Sequence, residues 1–461
     1  MNVDISATAL SLPEFSGSIG FAHTEITPPE GIYARLWGSA QHDVADGVHL
    51  PLRGTALILQ ADAATAAFVL LTLDVVALWQ EEVDKIQRRI LDRFDLPPQQ
   101  LMVHVSHTHS SPMLARRHHD RPGGAFIGPY LDSLPEKCCE LVSAAYASMT
   151  KGVLSWAYGN CGLAFNRDAI DASSGRGVCG LNLARSADDT VLVGRVTDIN
   201  ERIRGVIVNY ACHPVSLGGA NTLLSPDYIG PMRDLVEREV GGTCIFLHGA
   251  SGDLTPRRSY EATVAAAEQN GRELGYSVLA TLNSMLPPGR VLQYNGIEES
   301  GTALGIWRTV NKPSIPTTLE ATLVQFQLPL KELPPREEIL ARMQSSSLRY
   351  EIERLERMLA MKDRLGNETE GTLPITIWRV GDAFLVATGG EAYSRFQIAL
   401  REQFPRSAIA VLNLTNGATN YLPEATAYNM DNYPARVTEY AAGCLERSIE
   451  QAAGIMRNLG C

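Results

Sequence analysis

The sequence predicts an α/β fold of layered mixed sheets flanked by helices, and three observations carry that expectation. Short apolar, β-branched runs recur at residues 56–59, 68–73, 101–105, 191–196, 206–210 and 244–247. Between them lie segments whose apolar residues return at three- and four-residue steps, the period of a helix with one buried face. Strands alternating with helices in this way suggest a layered core. The third observation is composition. Of 461 residues, 45% are hydrophobic and 20% charged, which fits a large packed core and excludes a disordered or fibrous chain.

Helices are expected over 81–94, 130–147, 229–240 and 260–282. From 287 to 334 the chain changes character. Pro287, Pro288, Pro313 and Pro316 precede a strand-like run at 318–328, so the segment reads as a passage between lobes or an insertion. A long charged helix follows at 335–362, where Ile339, Met343, Leu348, Ile352, Leu355 and Leu359 form an approximate stripe. A surface or dimer helix is preferred there to a mobile lid. Strands at 375–380 and 383–388 flank Gly381-Asp382, a two-residue hairpin signal. A Gly-Gly-Glu turn, a helix near 393–404, a strand at 408–414 and a terminal helix from about Arg436 complete the chain.

Charge narrows the function. With 51 acidic against 40 basic side chains the net charge is -11, and no Lys/Arg cluster stands ready to grip phosphates, so nucleic-acid binding is disfavoured. No apolar run approaches the roughly 20 residues of a spanning helix, and the longest, 68–79, is broken by Thr72 and Asp74, so no stable membrane insertion is expected. The stretch 1–18 has no Lys or Arg and fails as a signal peptide. The eight cysteines are scattered without a C-x-x-C pair, which points to a reducing, cytoplasmic setting and away from thiolate-held zinc. A homo-oligomer is compatible with the sequence.

Three segments carry chemistry. Val105-Ser106-His107-Thr108-His109-Ser110-Ser111-Pro112 stands where an apolar run ends. In extended backbone, residues two apart share a face, so His107 and His109 can converge on one point. A lone histidine is usually structural; two on one face among hydroxyls at a strand end raise metal binding or catalysis. Asn209-Tyr210-Ala211-Cys212-His213-Pro214 again ends a strand on a histidine, which by itself reads equally well as a capped core residue. Beside the first pair it completes a three-imidazole neighbourhood suited to zinc. The third is the glycine-rich loop Leu247-His248-Gly249-Ala250-Ser251-Gly252-Asp253-Leu254-Thr255-Pro256. A nucleophile elbow centred on Ser251 would need glycine where Asp253 stands. The preferred reading is a loop whose small residues let backbone amides and the Thr255 hydroxyl approach a substrate, with Asp253 as a supporting carboxylate.

In this order the three segments resemble the neutral, non-lysosomal ceramidase family, zinc amidases that cleave the N-acyl bond of sphingolipids. The likeness extends to Ile26-Thr27-Pro28-Pro29, Gly47-Val48-His49-Leu50-Pro51-Leu52, Phe165-Asn166-Arg167, Gly389-Gly390-Glu391 and a tyrosine pair. It implies that family's catalytic-domain fold and one zinc per chain held by His107, His213, Glu391 and Tyr421. His109, Arg167 and a second tyrosine twelve residues on, Tyr433, would assist the scissile carbonyl. Thr255, in the place of the family's serine, would join these catalytic residues, and Ser251, Gly252 and Asp253 would border the substrate.

The 28 residues after Tyr433 leave no room for an immunoglobulin-like sandwich of about 100 residues, so the family's C-terminal domain is not expected. Residues 1–461 are read as a single catalytic domain with a divergent insertion or subdomain at about 287–371. The expected function is zinc-dependent hydrolysis of an amide whose identity is open, a ceramide, another N-acyl amine or a small metabolite. The alternatives are a zinc esterase or deacylase with the same site, and a non-catalytic binding protein that keeps the fold.

Overall fold

The computed structural model describes Ile5, residues 8–430 and residues 432–460. Cys461, and residues 1–4, 6 and 7 of the stretch judged for a signal segment, lie outside the described residues. Strands β1 (Glu14–Glu25), β2 (Arg53–Gln60), β3 (Phe68–Leu73), β4 (Leu101–Val105), β5 (Thr150–Asn160), β6 (Thr190–Asp198), β7 (Ile203–Tyr210) and β8 (Thr243–His248) form one mixed sheet in the order β8-β7-β6-β5-β1-β2-β3-β4. Strands β9 (Leu319–Pro329), β10 (Glu370–Val380), β11 (Ala383–Thr388) and β12 (Ala408–Leu412) form a second sheet in sequence order.

Two-residue periodicity decides what each face meets. In β2, Ala56 and Ile58 pack toward the helices α1 (Gln80–Phe94) and α2 (Ile127–Ala147), while Leu57 and Leu59 face the second sheet. In β8, Cys244 and Phe246 turn to α3 (Ile229–Val240) and α4 (Val264–Ser284), and Ile245 and Leu247 turn inward. The second sheet repeats this: Trp378 and Val380 of β10 meet the large sheet, and Ile375 and Ile377 meet α7 (Arg395–Gln403) and α9 (Cys444–Asn458). The result is four layers, helix, sheet, sheet, helix. Strands buried on both sides need side chains that are apolar at every position, which is why these runs were visible in the sequence.

Within these two sheets three pairs of neighbouring strands are parallel: β3 with β4, β7 with β8, and β11 with β12. Each pair is joined through a helix, α1, α3 and α7 respectively. The carboxyl ends of such strands are where open α/β sheets place their sites, and here they point to one region.

The structure corrects several expectations. The helix expected at 335–362 is two, α5 (Arg336–Ser345) and α6 (Arg349–Leu365). Ser346 is extended, its hydroxyl accepting from the Leu348 N–H at 3.2 Å and donating to Glu351 at 2.7 Å, a local competitor to helical bonding. α6 is tied to the surface through Arg35–Glu353 at 2.8 Å and Arg121–Glu356 at 3.3 Å. The terminal helix starts at Cys444, after the short α8 (Tyr433–Val437), because Thr438 leaves helical geometry to donate to the Tyr421 carbonyl at 2.6 Å. α4 begins at Val264, four residues later than expected, because Tyr260 has φ +64° and bonds to Val215. The strand expected at 408–414 ends at Leu412. The segment 287–371 supplies β9, which pairs with β10 from Leu319↔Val380 to Pro329↔Glu370. Gly381, at φ +59°, opens the expected hairpin turn.

Candidate metal-centred active site

The loop after β4 brings in His107 and His109, but not by strand alternation. His107 has φ +64°, a left-handed conformation that is rare for a histidine, held by its N–H on the Val75 carbonyl at 3.0 Å. The expectation of extended backbone is therefore wrong there, although the two rings do converge: Nε2 of His109 lies 3.2 Å from Nε2 of His107. The end of β7 brings His213. The short ribbon Glu391–Ala392, just beyond β11, pairs in parallel with Tyr421–Leu422, setting Glu391 directly beside Tyr421. A second ribbon, Leu254–Pro256 against Ala164–Asn166, sets Arg167 beside the glycine-rich loop.

Backbone carbonyls can only accept, so they fix the histidine tautomers. Nδ1 of His107 donates to Val76 O at 2.6 Å, and Nδ1 of His213 donates to Ser251 O at 2.7 Å. Each neutral ring therefore turns an Nε2 lone pair inward. Glu391 Oε2 meets them at 3.3 Å from His107 and 3.1 Å from His213. The Tyr421 hydroxyl stands 3.5 Å from His213 Nε2. Nitrogens of His107, His109 and His213 all lie within 4.8 Å of one another.

Burial, reinforced by Arg167, pulls the His213 pKa down to about 3. Burial and the neighbouring His107 and His213 likewise hold His109 well below its ordinary value. Burial would raise the Glu391 carboxyl, but the charge and hydrogen bonds that His107 and His213 would offer it in their protonated form outweigh this and hold it well below the usual range. With the rings neutral and the carboxylate ionised, several electron-pair donors face one another at close range, an arrangement that calls for a cation. Four ligand atoms at 2.0–2.1 Å around a tetrahedral ion would be roughly 3.3 Å apart, and the separations of 3.1, 3.3 and 3.5 Å among His107, His213, Glu391 and Tyr421 fall around that value. The residues present fit a divalent transition metal bound by nitrogen and oxygen.

Arg167 is buried without a carboxylate partner. Its Nε and Nη2 donate to Gly252 O at 3.1 and 2.8 Å, and Nη2 also donates to the Tyr421 hydroxyl at 3.1 Å. Burial pushes the Tyr421 phenol well up, with Glu391 adding to it. The Tyr433 ring stands edge-on to Tyr421 at 6.0 Å and is 37% exposed, at the mouth of the site. The glycine-rich loop turns its polar atoms toward the protein. Gly252 N–H donates to Ala392 O at 2.9 Å, and Asp253 accepts from Ser394 and Asn166. Burial raises the Asp253 carboxyl to about 6. The Ser251 hydroxyl lies 2.8 Å from His248 Nε2 and 3.2 Å from His213 Nδ1.

Sequence reasoning missed His248, whose ring lies 5.2 Å from that of His107, and His104, whose Nε2 accepts from the His248 N–H at 2.9 Å. It also missed Trp37, whose ring is 5.4 Å from that of His109. His248 was in plain sight as the last residue of β8; His104 lies inside a strand and Trp37 in a loop with no motif.

Two solved structures share the architecture. A ceramidase complexed with C2 has a TM-score of 0.71 and 14% identity, covering 97% of this chain and 76% of its own. The neutral ceramidase from Pseudomonas aeruginosa has a TM-score of 0.68 and 15% identity, covering 96% and 74%. At such identities the likeness speaks for the fold. No curated protein matches the sequence. Residues 18–268, which carry both strand-end histidine segments and the glycine-rich loop, match the family described as neutral/alkaline non-lysosomal ceramidase, N-terminal, and the chain belongs to that family.

Proposed function

We propose that this protein is a zinc-dependent hydrolase that cleaves a linear amide, the N-acyl bond of a small-molecule or lipid-like substrate, with water as the nucleophile. The observation that carries the reading is the inward-facing set of Nε2 of His107, Nε2 of His213 and Oε2 of Glu391, 3.1–3.3 Å apart across the carboxylate. Those three residues and Tyr421 would hold one zinc ion. When bound, zinc supplies a Lewis acid that brings the pKa of water down to about 7.

The remaining steps belong to side chains. His109, kept neutral by burial, takes a proton from the attacking water and passes it to the leaving amine. Tyr433, at the mouth, donates to the carbonyl oxygen as charge develops on it. Arg167 fixes the Tyr421 phenol and turns its free donors to a substrate hydroxyl or carboxylate. Thr255 lines the pocket, while Ser251, Gly252 and Asp253 border it and hold Arg167, His213 and the Glu391 ribbon in place. The chain acts as one catalytic domain in which 287–371 is an elaboration. Seven free cysteines among the described residues favour a reducing compartment, in keeping with a cytoplasmic enzyme.

Paired amide and ester substrates with a common acyl chain test this reading. Amide turnover is expected, lost on chelation and restored by zinc. Ester turnover alone would replace the amidase with an esterase.

A further inference from the structure

Gly218 and Gly219 have no room for a side chain. A Cβ on Gly218 would lie 2.5 Å from the Tyr260 carbonyl oxygen, and one on Gly219 would lie 2.4 Å from Ser39 Oγ and 3.1 Å from Trp37 Cβ. The pair lets two otherwise distant loops close on one another. Through them the Trp37 ring reaches both His109, at 5.4 Å and 45°, and Tyr260, edge-on at 5.7 Å and 78°. Tyr260 is held at φ +64° by three backbone bonds: its N–H to Val215 at 2.8 Å, Glu261 N–H to Ser216 at 2.9 Å, and Gly218 N–H to Glu261 at 2.8 Å. A non-glycine residue persists in that region only where its surroundings over-determine it, commonly at ligand sites.

Trp37 Nε1, in this aromatic pair, is buried without a protein hydrogen-bond partner, and the buried Thr255 hydroxyl has the Tyr260 phenol beside it. An indole N–H can only donate, and a buried donor left unmet is costly. Burial raises the Tyr260 phenol, and the Arg167 guanidinium and Thr255 hydroxyl next to it offset part of the rise. The groups collected here are donors: an indole N–H, two hydroxyls and a guanidinium. The Glu391 carboxylate of the same site is turned away toward the imidazoles.

We infer that Trp37 and Tyr260 form the recognition wall for the leaving-amine half of the substrate, and that this half carries a carboxylate, making the substrate class N-acyl amino acids. The inference rests on the amidase reading above and adds the identity of the amine. The Trp37 ring lies tilted beside His109, the proton donor to the amine, and the amine's carboxylate meets the Trp37, Tyr260, Thr255 and Arg167 donors. Trp37 and Tyr260 are substrate-binding residues.

An N-acylglycine and the N-acylethylamine of the same chain differ only by that carboxylate. With the zinc-loaded protein, kcat/KM should be about tenfold or more higher for the N-acylglycine, the scale of one or two hydrogen bonds to a charged group. Trp37→Phe, which keeps an aromatic ring and removes the N–H, and Tyr260→Phe should each raise KM for the N-acylglycine more than they lower kcat, and bring the preference between the two substrates to within a few-fold. Equal turnover of both amides by the wild type, or a parallel loss on both in each variant, overturns the proposal. Calorimetric binding of N-acylglycine separates it from the amidase reading. Binding that Trp37→Phe weakens supports the recognition wall even without turnover; no binding to the wild type contradicts it.

Discussion

At the scale of one residue, Arg167 is a buried cation at the candidate site. Its positive charge is answered by the Gly252 carbonyl, the Tyr421 hydroxyl and the Tyr421 ring face at 5.6 Å, not by a carboxylate. Lysine keeps the charge but lacks the planar fork that reaches two acceptors at once. Arg167→Lys should therefore lower kcat on an amide substrate by about 10²-fold, the scale for a displaced catalytic donor, with little change in the thermal midpoint. Unchanged kinetics would remove Arg167 from the mechanism. His107, His109, His213 and the glycine-rich loop were legible because each follows an apolar run that stops abruptly. Glu391 and Tyr421 were not legible from local pattern, since their pairing is a two-residue ribbon between distant segments; resemblance to a family supplied them. Trp37 and Tyr260 carry no local signal at all, because what brings them together is the absence of two side chains at Gly218 and Gly219, with Trp37 the one of the two that reaches the His109 ring.

At the scale of elements, the site depends on how the loop after β3 is pinned to α3. Asp74 and Arg233 form a buried ion pair with 1% and 4% side-chain exposure, and Asp74 also accepts from the Arg53 N–H at 2.9 Å. Two residues on, Val76 offers the carbonyl that orients His107. Arg233→Met leaves a buried carboxylate unpaired, which costs about 3–5 kcal/mol. It should lower the urea midpoint and weaken metal retention. Adding Asp74→Asn should recover much of the stability, and failure to do so would show that packing rather than charge dominates there. The strands of the parallel pairs were read correctly because burial on both faces leaves an uninterrupted apolar run. β1 and β5 were overlooked because their glycines and hydroxyls, such as Gly17, Ser18 and Gly20 in β1, mask any period. The helix expected at 335–362 and the terminal helix were overextended for a different reason: Ser346 and Thr438 make side-chain bonds that a hydrophobic stripe does not register.

For the whole molecule, four layers bring the carboxyl ends of three parallel strand pairs together, so one cation would join both sheets of the chain. Such a cation stabilises the folded state by as much as its binding exceeds that of the unfolded chain. Among the described residues no helix is long and apolar enough to cross a membrane. The formal charge of -11 favours solubility and gives no help to an anionic substrate at long range, leaving its recognition to local donors. The central claim is that the inward-facing imidazoles and carboxylate are metal ligands. Elemental analysis of purified wild type and Glu391→Gln tests it most directly. About one zinc per chain in the wild type, and substantially less in the variant, is the expected result. A metal-free wild type that hydrolyses amides, or a variant with full metal content and activity, would contradict it.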